Sequence, residues 1–164
     1  MIHISPEHFE THSPEVLYDL DRDLWFLPFR QMEDEIAALS VEEIETRLDG
    51  RRVLVVEDEV IVAMELAMEL EDRGALVIGP AYTLADALAL AEAGAVDAAV
   101  LDVDLQGEDV FPAAERLMAA RVPFLFHTGH GERTELKARF DGAIVCTKPT
   151  LSETLAAAVA SLLG

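Results

Sequence analysis

Four apolar runs end in side chains that together could handle a phosphoryl group. The run Arg52–Val56 ends in the adjacent carboxylates Glu57 and Asp58, and Ala98–Leu101 ends in Asp102. Pro123–His127 ends in the hydroxyl of Thr128, and Ala143–Thr147 ends in Lys148, with Pro149 after it. Two hard oxygen donors near a third carboxylate suit Mg²⁺, which takes a few carboxylates, waters and a phosphate oxygen. Asp102 could act as a nucleophile towards phosphorus, with the metal offsetting charge on the transferring group. Lys148 would put a compact positive charge on the same oxygens, and the Thr128 hydroxyl could hydrogen-bond one of them. Each feature alone is ordinary. An acidic pair at a strand end is usually a solvated turn, a threonine there a cap, and Lys-Pro a turn. Four such groups, each closing a separate strand, make a site.

These groups need a scaffold that brings them to one edge. Short apolar runs bounded by turn residues read as buried strands of a parallel sheet, and open α/β sheets carry their chemistry at the carboxyl ends of the strands. Strand one covers 52–57, and a helix from 60 to 73 follows, stopped by Gly74. Strand two is Leu76-Val77-Ile78, closed by Gly79-Pro80. Thr83 caps a helix over Leu84–Glu92, strand three is 98–102, and Pro112 sits near the start of a helix reaching Ala120. Strand four is 123–127, the loop Thr128-Gly129-His130-Gly131 follows, and one or two helical turns fit between Glu132 and Phe140. Strand five is 143–147, and an Ala- and Leu-rich helix spans 152–163. Alternation of this kind predicts an α/β domain with right-handed crossovers.

Residues 1–49 differ in character. They hold Phe9, Tyr18, Trp25, Phe26 and Phe29, half of the chain's aromatics. Ser13-Pro14-Glu15 starts a helix, Pro28 interrupts the pattern, and Met32, Ile36 and Leu39 recur at helical spacing. Ser40-Val41-Glu42-Glu43 has capping-box form. Either a second short helix carrying Ile44 and Leu48 begins there, or one helix runs from 29 to 48; Asp49-Gly50 stops it. Too small for its own core, the segment must dock on the main domain, form a homodimer through residues 13–48, or wait for a partner.

The formal net charge of the 164-residue chain is −20, which argues against nucleic acid as a partner. Cys146 is the sole cysteine, so it reads as a core thiol, and a reducing, cytoplasmic compartment is expected. Neither a signal peptide nor an apolar run long enough for a spanning helix is evident.

The stretch Val53-Leu54-Val55-Val56-Glu57-Asp58-Glu59, then Leu101-Asp102-Val103-Asp104-Leu105, then Thr128 and Lys148-Pro149, resembles the receiver domain of bacterial two-component response regulators. The resemblance covers about 51–164, and the domain is taken as 50–164. It implies a flavodoxin-like, doubly wound, five-stranded parallel sheet in the order 2-1-3-4-5, here with an α-helical amino-terminal extension. It implies that Asp102 accepts a phosphoryl group from a histidine kinase or phosphotransfer protein. Glu57, Asp58, Asp102 and the backbone carbonyl of Asp104 would hold Mg²⁺, while Thr128 and Lys148 contact the phosphoryl group. The stretch Pro123–Gly131 further resembles the FAT GUY subgroup of alphaproteobacterial stand-alone receivers. His127 stands where that subgroup has alanine, and His130 where it has an aromatic.

Val145 and Cys146 occupy the part of strand five where most receivers carry an aromatic. A switch through the glycine-rich loop 129–131 and the helix after it is therefore expected. His127 and His130, three apart around a glycine loop, lack the rigid face of a zinc site. Asp104 adds a negative charge that either draws in Mg²⁺ or alters how water reaches the acyl phosphate. With no residues left after the last helix for an output module, the expected role is a signalling switch acting by protein contact on an unknown target. At about 49 residues the extension is short for the sigma-factor-like domain of some stress-response regulators. Asp102-Val103-Asp104 also matches the DxD of haloacid-dehalogenase-like phosphatases, but Gln106 stands where that motif needs Thr or Val. Only Glu153 follows Lys148 where an acidic pair is required. A phosphate sink or scaffold is the remaining alternative.

Overall fold

The central strand of the sheet is Ala98–Asp102, five buried residues of which four are apolar. Its neighbours follow from the crossovers. In chain order the elements are α1 (Val41–Leu48), β1 (Arg52–Val56), α2 (Val60–Asp72), β2 (Leu76–Ala81), α3 (Leu84–Glu92) and β3 (Ala98–Asp102). Then come β4 (Asp104–Leu105), β5 (Glu108–Asp109), α4 (Phe111–Ala119), β6 (Phe124–Thr128), β7 (Ile144–Thr147) and α5 (Ser152–Leu162). This computed structural model describes residues 36, 38–129, 136, 138–140 and 142–164. The helix start at Ser13-Pro14, the Trp25–Phe29 cluster and Met32, together with His130 and Gly131, lie outside the described residues.

The main sheet is parallel in the order β2-β1-β3-β6-β7. With the small β4–β5 hairpin set aside, that is the 2-1-3-4-5 flavodoxin-like order. Val53, Val55, Val100, Leu125 and Ile144 face one helical layer, which holds Leu66 and Leu70 of α2 and Leu155 and Val159 of α5. Leu54, Val56, Leu101, Phe124 and Phe126 face the other, with Ala87 of α3 and Phe111 and Leu117 of α4. Consecutive strand residues thus serve opposite layers, which is why the strands read as unbroken apolar runs.

The structure corrects one sequence expectation, decides between two alternatives and adds a hairpin. Gly79-Pro80 does not close strand two; the strand continues to Ala81. Leu54 pairs with Ile78 but Val56 with Ala81, so β2 holds one extra residue, a bulge. Gly79 is required there, because its φ is +100° and a Cβ would meet the Val55 carbonyl oxygen at 3.0 Å. The single helix from 29 to 48 is also excluded, since Leu39 and Ser40 are not helical. The Ser40 backbone N–H donates to Glu43 Oε2 at 2.8 Å, and the Glu43 N–H donates to Ser40 Oγ at 3.3 Å. That capping box starts α1, which buries Ile44 and Leu48 in the α2–α5 layer. Finally, β4 and β5 pair antiparallel just after Asp102. Gln106 and Gly107 both have positive φ, 59° and 91°, as a type I′ two-residue turn demands. Of the short helix expected after strand four, Leu136, Ala138 and Arg139 are described and helical.

At the opposite edge from the site, Asp97 fixes the start of β1. Its Oδ2 accepts the Arg52 backbone N–H at 2.8 Å, and the Arg52 guanidinium adds bonds of 3.2 and 3.1 Å. These bonds from Arg52 hold the Asp97 carboxyl below its usual range. A depressed carboxyl stabilises the fold above the ordinary carboxylate range and loses that contribution as pH falls through its folded value. Asp97→Asn should therefore lower the Tm by about 2–4 °C at pH 7, with the gap to wild type closing as melts are repeated towards pH 3.

Candidate functional site

The parallel register puts the acidic groups side by side. Val56 is opposite Leu101 and Asp102 is opposite His127. One step further along β1 brings Glu57 level with Asp102. Glu57, Asp102 and His127 thus form a row across the end of the sheet, on the face that carries Val55, Val100 and Leu125. All three are buried. Thr128, the last residue of β6, is also buried. The loop after β1 adds Asp58, half-buried, and oxygens of Glu57, Asp58 and Asp102 lie within 4.8 Å of one another.

Lys148 ties this cluster together. Its Nζ donates to Asp102 Oδ2 at 2.8 Å and to Glu57 Oε1 at 2.9 Å. Its backbone N–H donates to the Thr128 carbonyl at 2.7 Å, which locks the ends of β6 and β7. Glu59 Oε1 lies 3.6 Å from the same Nζ.

One ammonium faces three carboxylates, and the charge is not balanced. Burial, together with the neighbouring Glu57 carboxylate, pushes Asp102 up to about 7 against the pull of Lys148. Burial acts in the same direction on Glu57, but His127 and Lys148 beside it prevail and hold that carboxyl below its usual range. For Lys148 burial works to lower the pKa, and its bonds to Asp102 and Glu57 outweigh that and raise it. A surplus of buried negative charge on hard oxygen donors is the environment that Mg²⁺ suits. The donor set fits that ion and lacks the sulfur and paired imidazoles of a zinc site.

All five side chains singled out in the sequence have a place at this edge, with Glu57, Asp58, Asp102 and Lys148 in one cluster. The Asp104 side chain turns to its own hairpin, where Oδ1 accepts the Gly107 N–H at 2.6 Å. Two contacts were not identified from the sequence: that of Glu59 with Lys148, and that of His127, whose Nδ1 lies 3.6 Å from Glu57 Oε2.

Residues 53–160 match the profile of the response regulator receiver domain, and the chain belongs to that family, the phospho-signalling modules of two-component systems. It is 41% identical over 110 residues to the transcriptional regulatory protein TcrA of Mycobacterium tuberculosis, covering 63% of this chain and 42% of that one. It is 33% identical over 96 residues to PdtaR of the same organism, covering 57% and 47%. The chain thus spans less than half the length of these curated relatives. Among solved structures, SdrG from Sphingomonas melonis Fr1 superposes with a TM-score of 0.61 at 38% identity, covering 77% of this chain and all of that one. The response regulator PhyR from Brucella abortus superposes at 0.63 with 27% identity, covering 74% and 51%. No helix among the described residues is long and apolar enough to cross a membrane.

Proposed function

We propose that the chain is a phosphorylation-controlled switch in which Asp102 carries the phosphoryl group. The observation behind this reading is the position of Asp102: at the tip of the central strand, with Lys148 Nζ on one oxygen and the Glu57–Asp58 pair beside it. A carboxylate oxygen attacks the phosphorus of a phosphohistidine on a kinase or phosphotransfer protein. The P–N bond breaks, and the imidazole leaves with a proton. Lys148 neutralises charge on the phosphoryl oxygens, and the Thr128 hydroxyl donates to one of them. Glu57, Asp58, Asp102 and the Asp104 backbone carbonyl are the groups that would hold Mg²⁺, which supplies charge neutralisation to the transferring group. The protein is a signalling component with self-catalysed transfer and dephosphorylation, not a turnover enzyme.

In this reading residues 1–49 are a regulatory element beside the receiver domain of 50–164. Support comes from α1, which docks through Ile44 and Leu48; contact with a downstream protein or a second copy is assigned to residues 13–48. The net charge of −20 argues against nucleic acid as a partner in this scheme.

Acetyl phosphate with Mg²⁺ tests the reading by intact-protein and peptide mass spectrometry. One phosphoryl group on Asp102 is the expected result; no label, or a label elsewhere, defeats it. In parallel, a phosphomonoester substrate should give no multiple turnover. Many turnovers per protein would instead favour a phosphatase.

A further inference from the structure

Four polar side chains are buried among the described residues: Glu57, Asp102, Thr128 and His127. The first three have a place in the chemistry proposed above; His127 has none. Its residue is 3% exposed, and neither ring nitrogen has a hydrogen-bond partner. An imidazole kept dry with both nitrogens unmatched is costly, so its surroundings need an account.

The row across the sheet supplies one. His127 sits opposite Asp102 on the adjoining strand and shares its face. Across that face, Nδ1 lies 3.6 Å from Glu57 Oε2. The other oxygen, Oε1, accepts from Lys148 Nζ at 2.9 Å and from the Glu59 backbone N–H at 3.3 Å. The carboxylate is thus bracketed, by lysine and backbone at one oxygen and by imidazole at the other. The lysine has a second duty at Asp102 Oδ2, 2.8 Å away. A phosphoryl group on Asp102 draws that ammonium towards the new oxygens, and Glu57 then depends more on its other neighbour.

We propose that His127 is a positioning residue for Glu57: an N–H at Nδ1, directed at Oε2, fixes the carboxylate in the orientation that binds Mg²⁺. Partners of this kind set the direction and basicity of a ligand without touching the metal, and losing one typically costs 10–100-fold in metal affinity. The inference rests on the reading of Glu57, Asp58 and Asp102 as the metal-binding set.

The test is calorimetric titration of Mg²⁺ into unphosphorylated protein, with thermal melts on every variant. His127→Leu and His127→Asn are matched in shape and differ in the amide, whose N–H can reach towards Oε2 as Nδ1 does. The leucine variant should bind Mg²⁺ about tenfold more weakly, while the asparagine variant stays within about threefold of wild type. Wild-type affinity in the leucine variant overturns the proposal. Equal weakening in both variants overturns it too, because packing would then explain the loss. Asp58→Asn separates this from the underlying reading. If Asp58→Asn binds Mg²⁺ like wild type, the metal-binding set itself is wrong. If Asp58→Asn loses the metal and His127→Leu does not, only the role of His127 fails.

Discussion

Asp102→Asn should lose the phosphoryl label completely and, without metal, melt at a higher temperature than wild type. The amide keeps the shape of the carboxyl but has no oxygen that can form the acyl phosphate. The stability gain comes from charge. Burial and Glu57 hold Asp102 up to about 7, against 3.8 for an ordinary aspartate. Its ionised form is therefore less favourable in the folded state than in the unfolded one. The sign follows from proton counting. Below the ordinary carboxylate range Asp102 is neutral in both states and costs nothing. As pH rises from about 4 to 7 the unfolded chain ionises first, and the penalty grows. Above 7 it is constant. Discounted for partial solvent contact and for the Lys148 bond, the gain is about 1–2 kcal/mol at pH 8, or roughly 5 °C. Calorimetric melts in chelator at pH 4 and pH 8 measure it, and added Mg²⁺ should stabilise wild type more than the variant. A variant that melts below wild type at pH 8, or that still takes the label at residue 102, contradicts the charge account.

Much of this edge was legible because its strands are dry on both faces. Val53–Val56, Ala98–Leu101 and Phe124–Phe126 are uninterrupted and apolar, so their polar ends mark the strand tips. Thr83 as a cap and Leu84–Glu92 as a helix follow from side-chain-to-backbone bonding that is local in sequence. What could not be read is what depends on pairing. Gly79-Pro80 looks like a stop, yet the backbone there bulges and resumes beside Val56. The β4–β5 hairpin has two residues on each side, too few for a hydrophobic period. His127 ends strand four in the sequence reading, where it is weighed with His130 only against a zinc site. Its neighbour Glu57 is set by the register of β1, β3 and β6, and no window of sequence contains all three. A signal did exist: a histidine at the last inward position of a buried strand lies in a row with the acidic pair once the strand order is known.

Phe140→Ala should cost the most stability of any change outside the charged row. Phe140 is 3% exposed and closes an aromatic group, with ring centres 5.6 Å from Phe111, 6.0 Å from Phe124 and 5.2 Å from Phe126. Its backbone N–H donates to Leu136 at 2.7 Å, so the ring anchors the end of the segment after β6 to the sheet. Truncation removes apolar burial and three ring contacts and leaves a cavity that Phe111 and Phe126, fixed in α4 and β6, cannot fill. The expected loss is about 3–4 kcal/mol, a fall in Tm of about 10–15 °C. The effect on the site should be small. Phe140 lies on the α3–α4 side of the sheet, whereas Glu57, Asp102 and His127 face the α2–α5 side. Separated by the sheet and sharing no partner, the two clusters should act independently. Mg²⁺ affinity of the folded variant, measured well below its Tm, is expected within about twofold of wild type. If Mg²⁺ binding fell in step with stability, the two faces would be coupled through the strands, and the charged row could no longer be treated as a unit resting on a rigid sheet.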